Sequence, residues 1–321
     1  MNGFGRILVG VDGSAGSEAA LRWALREATL RAGTSAGAAP AVTALLAWTG
    51  DGLPSDVLRA VNQAKDGGLA TAAGELLERV IVRVGEPAAP VELRRLVVHG
   101  NPVPTLMAAA RNYELLVVGE RGHGPIHRLT TGSVSQGIVR HAPVPVVVVR
   151  SHGEAATPEH DDRPVVVGVD GSDPSRRALR WAAHEAALRG VGLRIVHAWG
   201  GHDPMYSEVL VSAQGSLLRQ AEDILDRAVA QGLDHAADLA VDTVVSPDSA
   251  IRALLRESRE AQLLVIGSRG LGGFSRLLLG SVSQQCVLHA ASDVAVIRPR
   301  PVPVPADHPA GTAAGATVPV R

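Results

Sequence analysis

An α/β fold laid down twice in tandem is predicted for this 321-residue chain by three observations. The chain repeats itself: "ILVGVDGSAGSEAALRWALREA" at 7–28 returns as "VVVGVDGSDPSRRALRWAAHEA" at 165–186. Such self-similarity is the first thing to seek, and its long period rules out a solenoid. Within each copy, short Val/Leu/Ile runs alternate with longer helical patterns. Runs such as "VPVVVV" are apolar at every position, as a parallel strand covered on both faces requires.

In the first copy, "RILVGV", "AVTALLAW", "VELRRLVV", "ELLVVG" and "VPVVVVR" read as strands, with helices near 15–32, 55–83, 102–112 and 132–141. In the second, "VVVGV", "LRIVHAW", "DLAVDTVV", "QLLVIG" and "DVAVIR" take the same places. With right-handed crossovers these elements compose two doubly wound, Rossmann-like domains, each a five-stranded parallel sheet with helices on both faces. The expected division is a first domain at 1–150, a linker at 151–163, a second domain at 164–299 and a disordered tail at 300–321. The linker "SHGEAATPEHDDR" is polar and acidic, and the tail "PVPVPADHPAGTAAGATVPVR" alternates proline with little to bury. Two copies suggest an internal pseudo-dimer, with contact at the edges of the final strands, "VPVVVVR" and "DVAVIRP".

Composition narrows the functional classes. With 31 basic against 32 acidic residues, the chain has no bulk electrostatic footprint for nucleic acid or an anionic membrane. Cys286 is the only cysteine, so neither an intramolecular disulfide nor a cysteine metal cluster forms. No apolar run reaches ~18 residues, and the first residues lack a long apolar h-region, which predicts a cytoplasmic protein without a membrane span. Lys65 is the only lysine and sits in "QAKDGG", so no Walker A loop exists.

Candidate site residues fall at strand ends, where open α/β sheets bind ligands. The first strands end in "VGVDGS", bringing Asp12 and Asp170 to that edge, where they suit a turn or helix cap as well as ligand contact. The fourth strands open "GERGHGPIHRLTTGSVSQ" at 119–136 and "GSRGLGGFSRLLLGSVSQ" at 267–284. Both keep a G-x2-G-x9-G-S spacing through Gly119, Gly122, Gly132 and Ser133, and through Gly267, Gly270, Gly280 and Ser281. Glycines let backbone amides approach a ligand, and a following helix offers unpaired N–H groups and a positive dipole end. Phosphate is the natural occupant. Ser133, Ser135, Ser281 and Ser283 could add hydroxyl donors, while Arg121, Arg128, Arg269 and Arg276 could supply charge. Trp23, Trp181 and Cys286 read as core; Trp48 and Trp199 lie nearer the crevice, and His141 and His289 near helix ends. No Ser-His-Asp arrangement, metal-ligand spacing or carboxylate pair specifies a reaction.

These residues resemble the universal stress protein family, as two fused domains covering about 5–150 and 164–299. The family's ATP-binding pattern, G-x2-G-x9-G followed by Ser or Thr, is met in both copies, and "VGVDGS", "LLVVGERG", "LLVIGSRG" and "GSVSQ" look like its blocks. The resemblance implies ATP as ligand, with or without Mg2+, and a nucleotide-responsive regulator rather than an enzyme, acting on an unidentified protein partner. It implies that Asp12 and Asp170 reach the adenosine end and that Ala47 and Ala198 meet adenine through the backbone. The loops and the "GSVS" helix starts, with Val134 and Val282 among them, would hold phosphates. The resemblance also implies a homodimer or internal pseudo-dimer paired through the last strands, while a slow ATP hydrolase or other nucleotide-using enzyme of a related α/β superfamily, and an association module with degenerate pockets, stay open as alternatives. The copies also differ: Asp248 and Ala250 stand where the first copy has Gly100 and Pro102, placing a carboxylate near expected phosphates. Ile126 stands where the second copy has Phe274.

Overall fold

The computed structural model describes residues 5–33, 39–50, 68–87, 90–122, 132–151, 161–200, 207–233, 239–271 and 279–298. The first half runs β1 (Arg6–Gly10), α1 (Ala15–Ala32), β2 (Ala41–Trp48), α2 (Gly68–Val84), β3 (Glu92–His99), α3 (Pro102–Ala110), β4 (Leu115–Gly119), α4 (Ser133–His141) and β5 (Val146–Val149). The second runs β6 (Val165–Gly168), α5 (Asp173–Arg189), β7 (Leu193–Ala198), α6 (Ser207–Gly232), β8 (Val241–Ser246), α7 (Ala250–Glu257), β9 (Leu263–Gly267), α8 (Ser281–His289) and β10 (Asp293–Ile297). A short 3-10 turn, Ser258–Glu260, follows α7. The start of the helix expected at 55–83 lies outside the described residues, as do most of the expected linker and all of the expected tail.

Successive side chains of a strand point to opposite faces, and here both faces are apolar. Ile7 and Val9 join a core with α1, α2, α5 and α6. Leu8 joins a second core with α3, α4, α7 and α8. This two-sided burial explains why "VVVV" at β5 is buried at every position.

The strands form one ten-stranded sheet in the order β3-β2-β1-β4-β5-β10-β9-β6-β7-β8. Each half is parallel throughout, and β5 meets β10 antiparallel through Val146↔Val296, Val147↔Ala295 and Val148↔Val294. The final strands, the segments from which contact between halves was expected, thus pair with each other. Val147 and Ala295 occupy the same place in the repeat, so the pseudo-two-fold axis passes between them. The strands of the two halves therefore run in opposite directions, and their carboxyl ends emerge at opposite edges of the sheet.

Helices α1 and α5 meet across this junction through four buried charges. Arg31 bridges Glu27 (2.5 Å) and Glu185 (2.6 Å), and Arg189 bridges Glu27 (2.5 Å) and Glu185. The Arg189 guanidinium also lies 5.7 Å from the Trp23 ring centroid. All four charged side chains are buried, at most 9% exposed. An arrangement of two cations and two anions is what permits charge at this depth.

Candidate functional site

Each half brings the end of its first strand beside its fourth, since β1 pairs with β4 and β6 with β9. This is where the winding direction reverses. The first strand leaves the sheet through Gly13 (φ 86°) or Gly171 (φ 82°), left-handed conformations that favour glycine. The turn lets Asp12 Oδ1 accept from the Ser14 N–H (3.0 Å) and hydroxyl (2.6 Å), as Asp170 Oδ1 accepts from the Ser172 N–H (3.0 Å). Ser14 and Ser172 then cap α1 and α5 by accepting from the Ser17 and Ser175 N–H groups. Across the crevice, the Leu271 N–H donates to Asp170 Oδ2 (2.9 Å). The aspartate is therefore a turn residue and also a clasp on the glycine loop.

That clasp explains the second glycine of each loop. A Cβ on Gly122 would stand 2.2 Å from Asp12 Oδ2, and one on Gly270 would stand 2.3 Å from Asp170 Oδ2. The first glycine serves a different contact: a Cβ on Gly119 would lie 2.4 Å from the Gly16 carbonyl carbon, so strand end and helix start touch backbone to backbone. In the second half, Pro174 takes the place of Gly16, and a Cβ on Gly267 would lie 3.0 Å from its carbonyl carbon. The second crevice is the looser of the two at this point.

The third glycine starts a helix. Gly132 (φ −64°, ψ 150°) and Gly280 (φ −71°, ψ 154°) are the N-caps of α4 and α8, and neither helix has a side-chain cap. By contrast α1, α5 and α7 are each capped by a serine hydroxyl. The first amides of α4 and α8 thus lack the internal acceptor that the serine-capped helices possess. Ser133 and Ser281 are exposed at these starts, and Val134 and Val282 pack partly buried against the core behind them. Ser135 and Ser283 have another role than the hydroxyl donors expected: each is buried and donates to the strand-end carbonyl, Gly119 at 2.6 Å and Gly267 at 2.7 Å. They brace helix to strand.

In the second half these parts surround a cavity of about 780 Å³. Asp170, Pro174 and Ser175 form one wall, Val196, Ala198, Leu254 and Ile266 the apolar floor, and Arg269, Gly270 and Gly280 to Ser283 the polar rim. This volume and mixture suit a small organic ligand with an anionic group. Ala47 stands at the matching end of β2, partly buried, and Arg121 is exposed on the first loop. Arg128, Arg276, Ile126 and Phe274 lie outside the described residues.

The carboxylate expected near the phosphates is already engaged. Asp248 pairs with Arg256 and accepts from the Ser246 hydroxyl (3.4 Å), and Ala250 rather than Asp248 lines the cavity. In the first half Gly100 (φ 151°) turns the chain into Asn101, the N-cap residue of α3, which makes no side-chain cap hydrogen bond, and Pro102 opens that helix. Trp23, Trp181 and Cys286 are core, as expected, and burial pushes the Cys286 thiol up to about 12 against the opposing charge of Arg150. Trp48 packs edge-on against His99 with centroids 4.6 Å apart. The serine caps, the Gly16/Pro174 exchange and the arginines after β5 and β10 went unread in the sequence; comparing the two copies position by position singles out all three.

A model described as the Universal stress protein family matches residues 3–150 and 163–298. A universal stress protein of Mycobacterium tuberculosis is 35% identical over 292 residues, 91% of this chain and 96% of the relative. One from Mycolicibacterium smegmatis is 34% identical over 306 residues, 92% and 97% of the two chains. Among solved structures, a universal stress protein from Archaeoglobus fulgidus superposes with a TM-score of 0.62 at 22% identity, over 92% of this chain and 99% of that one, a likeness of fold. Among the described residues, no helix is long and apolar enough to cross a membrane.

Proposed function

The chain belongs to the universal stress protein family, and from that premise we propose that each half binds ATP at its switch point and that occupancy, rather than turnover, is what the protein signals in stress adaptation. Two binding units at 1–150 and 164–299 would act together, read by a regulatory protein partner. The observation that carries this reading is the start of α8: an uncapped helix N-terminus facing a cavity of about 780 Å³ with an arginine at its rim. In this reading the triphosphate lies against Gly267, Gly270 and the first amides of α8, with Arg269 adding charge. Asp170 and the backbone at Ala198 take the nucleoside end. Asp12, Ala47, Gly119, Arg121, Gly122, Gly132 and Ser133 repeat these roles in the first half. Among the described residues no three His, Cys, Asp or Glu side chains converge as a metal cage. A Mg2+ ion arriving with ATP would keep phosphate oxygens and water as its main ligands.

Gly280→Asp tests the reading without threatening the fold. The extended backbone at Gly280 suits any residue, and the nearest atom to an added Cβ is 3.6 Å away. Aspartate is a preferred N-cap and changes stability by only a few tenths of a kcal/mol relative to glycine. Its carboxylate would repel a phosphate at the same amides. The expected result is an unchanged or slightly raised melting temperature with ATP affinity at that half reduced at least ~10-fold by calorimetry. Unchanged affinity in both Gly280→Asp and Gly132→Asp would sink the assignment. Mass spectrometry of the ligand released by denaturing protein purified without added nucleotide should recover ATP or ADP.

A further inference from the structure

We propose that each phosphate-facing helix is positioned by an arginine of the opposite half, α4 by Arg298 and α8 by Arg150, so that the affinity of either site is set in trans. The inference rests on the nucleotide reading above for what the helices hold, and on the antiparallel pairing of the two halves at β5 and β10 for how they are held.

The last carbonyls of a helix lack internal partners and carry the negative end of its dipole, where a guanidinium is favoured. Arg298 directly follows β10, and its Nη2 donates to the carbonyls of Val139 and Arg140 (2.6 Å) in the last turn of α4. Arg150 directly follows β5, and its Nη2 donates to the carbonyl of Val287 (2.7 Å) in the last turn of α8. Its Nε donates to the Ser292 carbonyl (3.1 Å) just beyond that helix. The two arginines stand at the same place in the repeat, so the exchange is reciprocal.

Each of these helices has 9 residues. At 1.5 Å rise per residue, only ~13 Å separates the arginine at one end from the uncapped glycine at the other. A helix that short moves as one body, so its C-terminal anchor fixes where its first amides point. Arg150 reaches further, because its Nη1 pairs with Glu120 (2.6 Å), the residue after Gly119, while its own N–H donates to Asp293 (2.8 Å). One side chain thereby touches the loop of the first site and the helix of the second. At the matching place beside Arg298, Ser268 replaces Glu120 and the nearby charge is that of Arg269. The linkage is therefore asymmetric.

Arg298→Met keeps the apolar stem and removes the guanidinium, with Arg298→Lys as a companion that keeps charge. In full chains whose second site is shut by Gly280→Asp, Arg298→Met is expected to weaken ATP binding at the first site roughly 3- to 10-fold, with partial recovery in Arg298→Lys. In chains whose first site is shut by Gly132→Asp, the same change should leave second-site affinity within about twofold. Hydrogen exchange should show faster exchange at 133–141 and none of that change at 281–289. Arg150→Met should speed exchange at 281–289 and weaken the second site, and because Arg150 also pairs with Glu120 it should weaken the first site as well, with partial recovery in Arg150→Lys. Weakening confined to the second site by Arg298→Met, equal weakening of both, or unaltered exchange at 133–141 would overturn the proposal. Failure of the parent chain to bind nucleotide would overturn the site reading instead, and the exchange measurement would still decide whether Arg298 positions α4.

Discussion

At position 16 the two copies carry different residues, and the difference is felt on the opposite wall of the crevice. A Cβ on Gly16 would stand 2.3 Å from the Arg121 carbonyl oxygen, which is backbone and yields little. Gly16→Ala should therefore cost about 1–3 kcal/mol, a loss of several degrees in melting temperature by calorimetry, through overpacking. Pro174→Ala at the matching place removes a ring where a Cβ already fits, and should cost less than about 1 kcal/mol. If the two substitutions have equal effects, the closer packing of the first crevice is not what holds Gly16. The spacing of Gly119, Gly122 and Gly132 was legible in the sequence; the reasons for it were not. Gly122 accommodates a carboxylate and Gly119 a helix backbone, contacts between residues more than a hundred positions apart that spacing alone does not reveal.

At the scale of elements, the helix pair α1 and α5 carries a testable charge network. Burial raises the Glu27 carboxyl, but Arg189 and Arg31 outweigh it and hold it at about 2, while burial and the charge of Glu27 push Glu185 up to about 7. The two carboxylates share both arginines, so these values belong to the pair, one proton binding early and the other late. The member held low contributes stability that is present above the ordinary carboxylate value and is lost as pH falls from about 4.5 toward 2. The raised member has the opposite sign, so its contribution grows as pH falls from about 7 toward 4.5. Melting temperature followed from pH 8 to pH 3 should show a maximum between these limbs, and it should flatten in the double variant Glu27→Gln/Glu185→Gln. Arg31→Met strands buried carboxylate and should cost about 3–5 kcal/mol in denaturant unfolding. A cost below about 1 kcal/mol would show that the network is dispensable. The central strands were readable because apolar residues at nearly every position admit few alternatives. This network was not, because "ALREA" and "AAHEA" look like ordinary amphipathic helix until the final strands bring the two faces together.

For the whole molecule, the decisive contact is the antiparallel pair β5/β10, which turns two five-stranded units into one sheet. Val147 and Ala295 face each other there, at a spacing that a disulfide can span. The double variant Val147→Cys/Ala295→Cys, oxidised in dilute solution, should run as a single-chain species on a non-reducing gel. A covalent dimer would mean that the final strands pair between molecules. The tandem repeat made this junction foreseeable, since each unit ends in an apolar strand whose edge needs covering.

The opposed strand directions have a spatial consequence. Because carboxyl ends emerge at opposite edges of the sheet, the two crevices are ports on opposite sides of a wall. On the proposed reading, a molecule seated in one would have the length of the strands between it and its counterpart in the other, so the two occupants would not touch. News of one port can reach the other only through the wall itself.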